Sequence, residues 1–396
     1  GAVTAVIGSP LLLLLLPRLK AATPPHSVGP GNRGAAVSVR AAAVMAVAMF
    51  VLLGALAILV GRAPSGEWQI LSIDQLDQLL TWRLPRIVAA ASAGALLGTA
   101  GLILQRLTGN EMASPEVLGV SAGAILAVAL SLFVFGTLGG VSEGLAAIVG
   151  GVTVLVMILA LGSRSSFAPE RVLLAGIALS SLIDAVVGVL SATGDPRAII
   201  LLGWMSGSTG GTRGSDAVAA GVTAAVLVAI SLLAVRWLAI LPLGGPQAKA
   251  LGLSIGRSRF LLLLLAAVLT AAATPVIGPL TFVGLMAPHI VLAIGIRRPL
   301  PGLLGAAAAG AGVMAEARKF FYDTAGATNR GAIASLLELV SSSQILFGTD
   351  FPPGGTNLAL SKALSELGFF TAADLRAIER ENAVRLLPRL GGTSRG

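Results

Sequence analysis

The stretch from Arg83 to Gly123 constrains this chain more than any other. Its centre is an apolar run of about 18 residues, Ile87 to Leu104, dense in Ala and Gly and free of charge. Pro85 is tolerated in the first turn of a helix, so the sequence predicts a helix that opens there and covers 85–104. The run stops at Gln105 and Arg106. A polar loop from Thr108 to Glu116 then leads to a second small-residue helix, expected over about 117–135. In lipid no hydrophobic effect separates protein from its surroundings, and small residues instead let helix backbones approach closely. Two such helices about a charged hinge suit a membrane bundle whose parts move.

Composition agrees. Hydrophobic residues make up 55% of the chain and charged residues 11%, against roughly 25% charged in a soluble domain. The absence of cysteine excludes a disulfide framework, a thiolate metal site and a cysteine nucleophile. The histidines are His26 and His289 alone. The net charge of +9 is what basic cytoplasmic loops give a polytopic membrane protein, and nucleic-acid binding is not expected.

The motifs carry a resemblance. Arg83, Pro85, Arg86, Gln105, Asn110, Met112, Ala113, Pro115, Leu118, Gly119, Gly123 and Ala124 fill a pattern like that of the FecCD family of ABC transporter permeases. Glu111 departs from it, standing where the family usually has Pro. Within the family the stretch most resembles the second half of the fused iron(III)-hydroxamate permeases. A second signature, GPLTFVGLMAPHI over 278–290, supplies Gly278, Pro279, Phe282, Val283, Gly284, Leu285, Pro288 and His289. A histidine at a helix end is either a ligand or a packed residue, and packing is favoured. Residues 236–259 are basic, amphipathic and broken by Gly244 and Gly245. They suit a membrane surface. They also resemble the family's cytoplasmic coupling loop, which docks on the ATP-binding subunit, through Leu243, Gly244, Gly245, Ala248, Leu251 and Gly252. Pro246 and Gln247 stand where the family often has an acidic residue.

Taken in order, residues 1–20 are apolar and closed by Arg18 and Lys20. They read as an interfacial or signal-like segment, or as the tail helix of a preceding permease half, which they resemble through Thr4, Ala5, Ile7, Gly8, Pro10, Leu14 and Leu15. On the second reading Gly1 is the cut end of a longer permease. Residues 21–37 are a Pro- and Gly-rich cytoplasmic linker, and Val39 to Val60 is long enough to span ~30 Å of hydrocarbon. Arg62 to Leu80 reads as an external loop. Further helices are expected at 143–162, 170–190, 216–235, from Phe260, and from Leu300 to Met314, with turns at 163–171 and 191–197. The segment 203–209 reads as a lead into the helix at 216–235. Asp184 in an apolar segment is a functional candidate, or a carboxylate on a polar seam. Basic clusters at 18–40, Arg106, 164–171, 236–259 and 297–298 fall on alternate helix ends, which places the 236–259 loop in the cytoplasm.

From Ala315 the composition turns polar. Residues 315–391 resemble the C-terminal end of a metal-dependent amidohydrolase of decarboxylase type, a TIM-barrel family, through Phe320 to Thr324, Ile345 to Pro352, Ile378, Asn382, Ala383, Arg385, Leu386 and Leu387. In that family Asp350 would sit at a strand end and bind metal or act as acid/base. A divalent metal needs three or four ligands, and this chain has no H-x-H pair. The expected organisation is therefore an all-α polytopic membrane protein with a small soluble α/β fragment. A truncated permease half covers 38–314, the amidohydrolase fragment 315–391, and a tail 392–396. The joint is expected to be a chimera, by assembly error or damaged locus rather than natural fusion.

The resemblance implies a multi-pass inner-membrane permease for ferric siderophores that is not an enzyme. It binds no cofactor or metal of its own. ATP belongs to a partner subunit, since the chain lacks a phosphate-loop motif. The other partners are a second permease half and a periplasmic siderophore-binding protein, for which Arg197 and Arg213 are candidate contacts. Two readings stand beside it: a hydrolase or decarboxylase labelled by the C-terminal fragment, and a non-functional truncated chimera.

Overall fold

The computed structural model describes residues 60–62, 68–70, 73–136, 140–163, 167, 169–192, 195–206, 212–280, 282–315, 322–324, 333, 336–337, 341–348 and 357–386. The segment 1–20, the linker 21–37 and nearly all of the helix expected at 39–60 lie outside them.

A small antiparallel hairpin, β1 (Val60–Arg62) and β2 (Trp68–Ile70), pairs Val60 with Ile70 and Arg62 with Trp68. Helix α1 follows at once and runs over Ile73–Thr108, 36 residues with Pro85 inside. This corrects two expectations. The external loop at 62–80 is a hairpin and a helical extension, and Pro85 does not start the helix. Proline is equally compatible with a first turn and with a kinked membrane helix, where neighbours re-satisfy the freed carbonyl.

A short 3-10 turn (Pro115–Leu118) leads into α2 (Val120–Phe135), then α3 (Gly140–Ser163) and α4 (Pro169–Ala192). Helix α5 (Pro196–Ser206) runs from the end of the turn expected at 191–197 into the lead-in segment expected at 203–209. Its start was legible: Asp195 Oδ1 accepts the Arg197 N–H at 2.8 Å as an N-cap, with Pro196 in the first turn. Helix α6 (Gly214–Leu232) opens where Asp216 accepts the Arg213 N–H at 3.0 Å. Two short helices, α7 (Val235–Ile240) and α8 (Gly245–Ala250), flank a 3-10 turn at Leu241–Leu243. Helix α9 (Ile255–Ile277) starts five residues before the expected Phe260. Helices α10 (Val283–Ala293) and α11 (Pro299–Ala315) complete the bundle.

Among the described residues, four helical segments are long and apolar enough to cross a membrane: Leu84–Thr108, Glu143–Ala160, Gly214–Leu232 and Ile255–Ile277. Helix α1 is the hub and packs against α6, α9, α10 and α11. Leu96, Ile103 and Leu104 are fully buried along it. The outer face of α6 carries Val218, Val222, Val226 and Ile230, exposed at a four-residue spacing that lines one side of the helix. Thr99, Thr270 and Thr274 place their hydroxyls on carbonyls of their own helices: Ala95 O at 2.7 Å, Ala266 O at 2.9 Å and Thr270 O at 2.9 Å.

Small residues set the helix spacing. A Cβ placed on Gly94 would lie 2.2 Å from Gly310 O, and one on Gly310 would lie 2.1 Å from Gly94 O, so α1 and α11 touch backbone to backbone. Gly123 and Gly150 do the same for α2 and α3, at 2.5 and 2.1 Å.

Beyond α11, β3 (Tyr322–Asp323) pairs in parallel with β4 (Ile345–Leu346). Helices α12 (Asn357–Glu366), α13 (Ala372–Arg376) and α14 (Asn382–Leu386) follow. Leu336, Ile345 and Ile378 form a small core of their own, and Asn382 Nδ2 bonds to Ser342 O at 2.9 Å and Ile345 O at 2.8 Å. A two-residue parallel pair does not make a TIM barrel, and Asp350 lies outside the described residues.

The packing predicts opposite results for two kinds of glycine. Gly94→Ala or Gly310→Ala should cost roughly 1–3 kcal/mol by overpacking. Gly144→Ala, where a Cβ meets nothing within 4 Å, should be neutral or stabilising by up to ~1 kcal/mol. Thermal unfolding of the detergent-solubilised chain checks both.

Candidate functional site

The two signatures, about 180 positions apart in the chain, meet in space. Pro288 lies inside α10 and has no N–H, so the Gly284 carbonyl four residues earlier receives no helical hydrogen bond from it. That carbonyl faces α1: a Cβ on Gly101 would fall 1.7 Å from it. From the other side, a Cβ on Gly284 would meet the Pro115 ring at 2.4 Å. At the next residue, the Leu285 carbonyl accepts from Gln105 Nε2 at 3.4 Å and pairs with His289 Nδ1 at 2.7 Å. Arg106 Nη2 donates to the Arg297 carbonyl between α10 and α11. Gln105, Pro115, Gly284, Pro288 and His289 therefore form one joint between α1, the 3-10 turn and α10.

The remaining signature positions shape the turns around it. Asn110 Oδ1 accepts the Met112 N–H at 2.9 Å and closes the loop after α1. Gly119, at φ 71°, ends the 3-10 turn and starts α2, a left-handed backbone that favours glycine. Gly123 sits at the α2–α3 crossing. Gly278 ends α9, and Pro279 lies in the elbow before α10. Phe282, ahead of α10, holds the left-handed region at φ 70° with a full side chain, a strained conformation no sequence signal announced. Arg86 is half-buried on α1, and Arg83 lies on the same helix with its side chain outside the described residues.

The segment expected to couple to a partner forms an exposed ledge. Gly244 at φ 104° and Gly252 at φ 77° bracket α8, which begins at Gly245. Ala248 points inward and is fully buried, whereas Leu243 and Leu251 are half exposed at 53% and 50%. Arg236, Lys249 and Arg257 are exposed around them. Two apolar side chains in a basic rim make a surface that a protein partner can cover.

Of the two arginines expected to face outward, Arg213 is exposed and Arg197 is engaged within the chain. Arg197 pairs with Asp195 at 2.6 Å, donates to the Phe133 carbonyl at 3.0 Å and lies 5.0 Å from the Phe133 ring centre. It ties the start of α5 to the end of α2. Sequence reasoning passed over Asp195, although Asp-Pro is a helix-start signal. It also passed over Glu116, whose Oε1 is sealed without a hydrogen-bond partner. Burial pushes that carboxyl above its ordinary 4.5, against the Ser114 hydrogen bond. Asp184 lies in α4, with its side chain outside the described residues. Among the described residues no three His, Cys, Asp or Glu side chains group as a metal site.

The Arg197 hydrogen bonds hold the Asp195 carboxyl below its ordinary 3.8. A depressed folded-state value means the link is fully formed above that range and is lost as pH falls through the lowered value. Asp195→Asn should therefore lower the unfolding temperature at pH 7, and its gap from the parent chain should close in strong acid. Thermal unfolding across that range checks it.

Residues 45–322 match the FecCD transport family. The iron(3+)-hydroxamate import system permease FhuB of Salmonella typhimurium is 48% identical over 318 residues, 78% of this chain and 45% of its own length. FhuB of Escherichia coli is 45% identical, covering 78% of this chain and 47% of that protein. The chain thus spans about half the length of these curated relatives. The vitamin B12 import permease BtuC of Vibrio parahaemolyticus is 35% identical over 65% of this chain and 80% of its own. A solved structure described as an inward-facing metal-chelate type ABC transporter superposes with a TM-score of 0.62 at 25% identity, covering 70% of this chain and 88% of that one. The family match passes the boundary expected at 314 and ends at 322. These relatives are transport proteins by name, and they give no support to the amidohydrolase resemblance of 315–391 or to a chimeric joint. With well over half its length matched, the chain belongs to the FecCD transport family.

Proposed function

We infer that this chain is a membrane-spanning permease part of an ABC importer for ferric hydroxamate siderophores, and not an enzyme. The observation that carries the reading is the pair of signatures, far apart in sequence, joined at Gly101, Pro115 and Gly284 in a chain 48% identical to FhuB. The joint contains turn-formers and close-packing residues rather than a nucleophile or a ligand set, which suits a protein that moves cargo without changing it. The bacterial inner membrane is the setting this implies.

The partners follow from the same reading. A second permease half completes the pathway, a periplasmic binding protein delivers the siderophore, and an ATP-binding subunit docks on Leu243 and Leu251. ATP is held by that subunit. Arg213 is the more available of the two arginines for the binding protein, because Arg197 is held by Asp195 and Phe133.

The hydrolase alternative is disfavoured by its lack of ligands. Of the two histidines in the chain, His289 is buried in the helical bundle with Nδ1 on the Leu285 carbonyl. The C-terminal segment is proposed to contribute no chemistry, and stoichiometric Zn²⁺ or Mn²⁺ bound by residues 315–396 of the full chain would overturn that.

Transport tests the main reading. Membranes holding the chain with its partner subunits should take up a ferric hydroxamate in an ATP-dependent way. Leu251→Asp should lower uptake by about tenfold or more, as loss of an interface anchor does, with the amount of inserted chain unchanged. Undiminished uptake in that variant would remove α8 as the docking ledge. Absence of uptake in the parent assembly would remove the cargo assignment.

A further inference from the structure

The last turn of α1 and the first half of α10 share one acceptor. The Leu285 carbonyl faces Gln105 Nε2 at 3.4 Å and His289 Nδ1 at 2.7 Å. A carbonyl only accepts, and that fixes both side chains. The Gln105 amide nitrogen is the end turned to Leu285, so Oε1 is turned away from it. Nδ1 of His289 carries the ring proton, so in the neutral imidazole Nε2 is a bare acceptor.

Both residues are more than nine-tenths buried, at 5% and 7% exposed. Gln105 Oε1 and His289 Nε2 are each sealed from solvent without a hydrogen-bond partner. Leaving such atoms unmade costs about 1–3 kcal/mol each, and folded interiors keep few of them. Two acceptors cannot satisfy each other. The neighbours on α10, Gly284, Met286, Ala287 and Pro288, bring no side-chain N–H or O–H, and neither do Gly101, Leu102 and Leu104 on α1. Arg106 spends Nη2 on the Arg297 carbonyl, and its Nε bonds to neither acceptor.

We propose that the α1–α10 crossing is a buried binding site for one water molecule, whose two O–H groups donate to Gln105 Oε1 and His289 Nε2. A water molecule supplies two donors for two acceptors, and buried waters typically make 2–4 such bonds. Both acceptors belong to side chains anchored on the Leu285 carbonyl. The site holds whatever the cargo of the permease is. It adds a solvent-borne link between the two signatures beside the direct Gln105–Leu285 hydrogen bond.

A structure of the full chain at a resolution that places ordered solvent tests this. One solvent peak about 2.7–3.2 Å from both atoms is expected, and it should vanish in Gln105→Leu. If that variant does not fold, the parent structure decides. Nitrogen-15 NMR of the His26→Gln chain, where His289 is the remaining imidazole, gives a second readout. It should report a ring protonated at Nδ1, with Nε2 hydrogen-bonded and in contact with exchanging water. An Nε2-protonated ring, no peak at the crossing, a peak bonded to one atom only, or a direct Gln105–His289 bond would each overturn the proposal.

Discussion

The carbonyl of Gly284 occupies the space that a β-carbon at position 101 would need, with 1.7 Å between them. Everything around α1 depends on approaches of this kind. In lipid, apolar surface gains nothing by leaving its surroundings, so the helices are held by close packing. Gly94 against Gly310, Gly98 against the Ala306 carbonyl and Gly101 against Gly284 make a continuous line of contact along α1. The contacts bring Cα–H groups to carbonyl oxygens, weak interactions that recur at helix crossings. Pro288 contributes by freeing the Gly284 carbonyl from its own helix. At α10 it ends beside the hydrogen bonds to the Leu285 carbonyl.

That geometry separates two sets of residues the sequence groups together. The signature positions shape turns and crossings inside the bundle. The α7–α8 ledge turns two leucines outward within a basic rim. The first set fixes how the helices pack together, and the second is exposed at the surface. The joint between the signatures lies on α1, the helix that touches most of the others.

Much of this was legible in the residues. The Ala- and Gly-rich run at 87–104 announced a central helix. The start of α1 was not legible, because Pro85 fits a first turn and a kink equally well. Helix α5 was missed because a Gly- and Ser-rich ending at 207–209 hid an Asp-Pro start. Neither the pairing of Gln105 with Leu285 nor the strain at Phe282 leaves a trace in local sequence, since both arise from elements brought together by folding. The C-terminal segment carries strand-like motifs that resemble a hydrolase, a resemblance the relatives do not support. Its described sheet is a two-residue pair, and the family match reaches 322.

A double-mutant cycle at Pro115 and Gly284 tests the contact between the two signatures most directly. A Cβ on Gly284 would meet Cδ of Pro115 at 2.4 Å, so Gly284→Ala should destabilise the chain on its own. Pro115→Ala removes the opposing ring atoms. In chemical unfolding of the detergent-solubilised full chain, the double variant should be more stable than the sum of the single effects predicts, by about 1 kcal/mol or more, as for residues in contact. Effects that add within about 0.5 kcal/mol, as for residues apart, would contradict the joint.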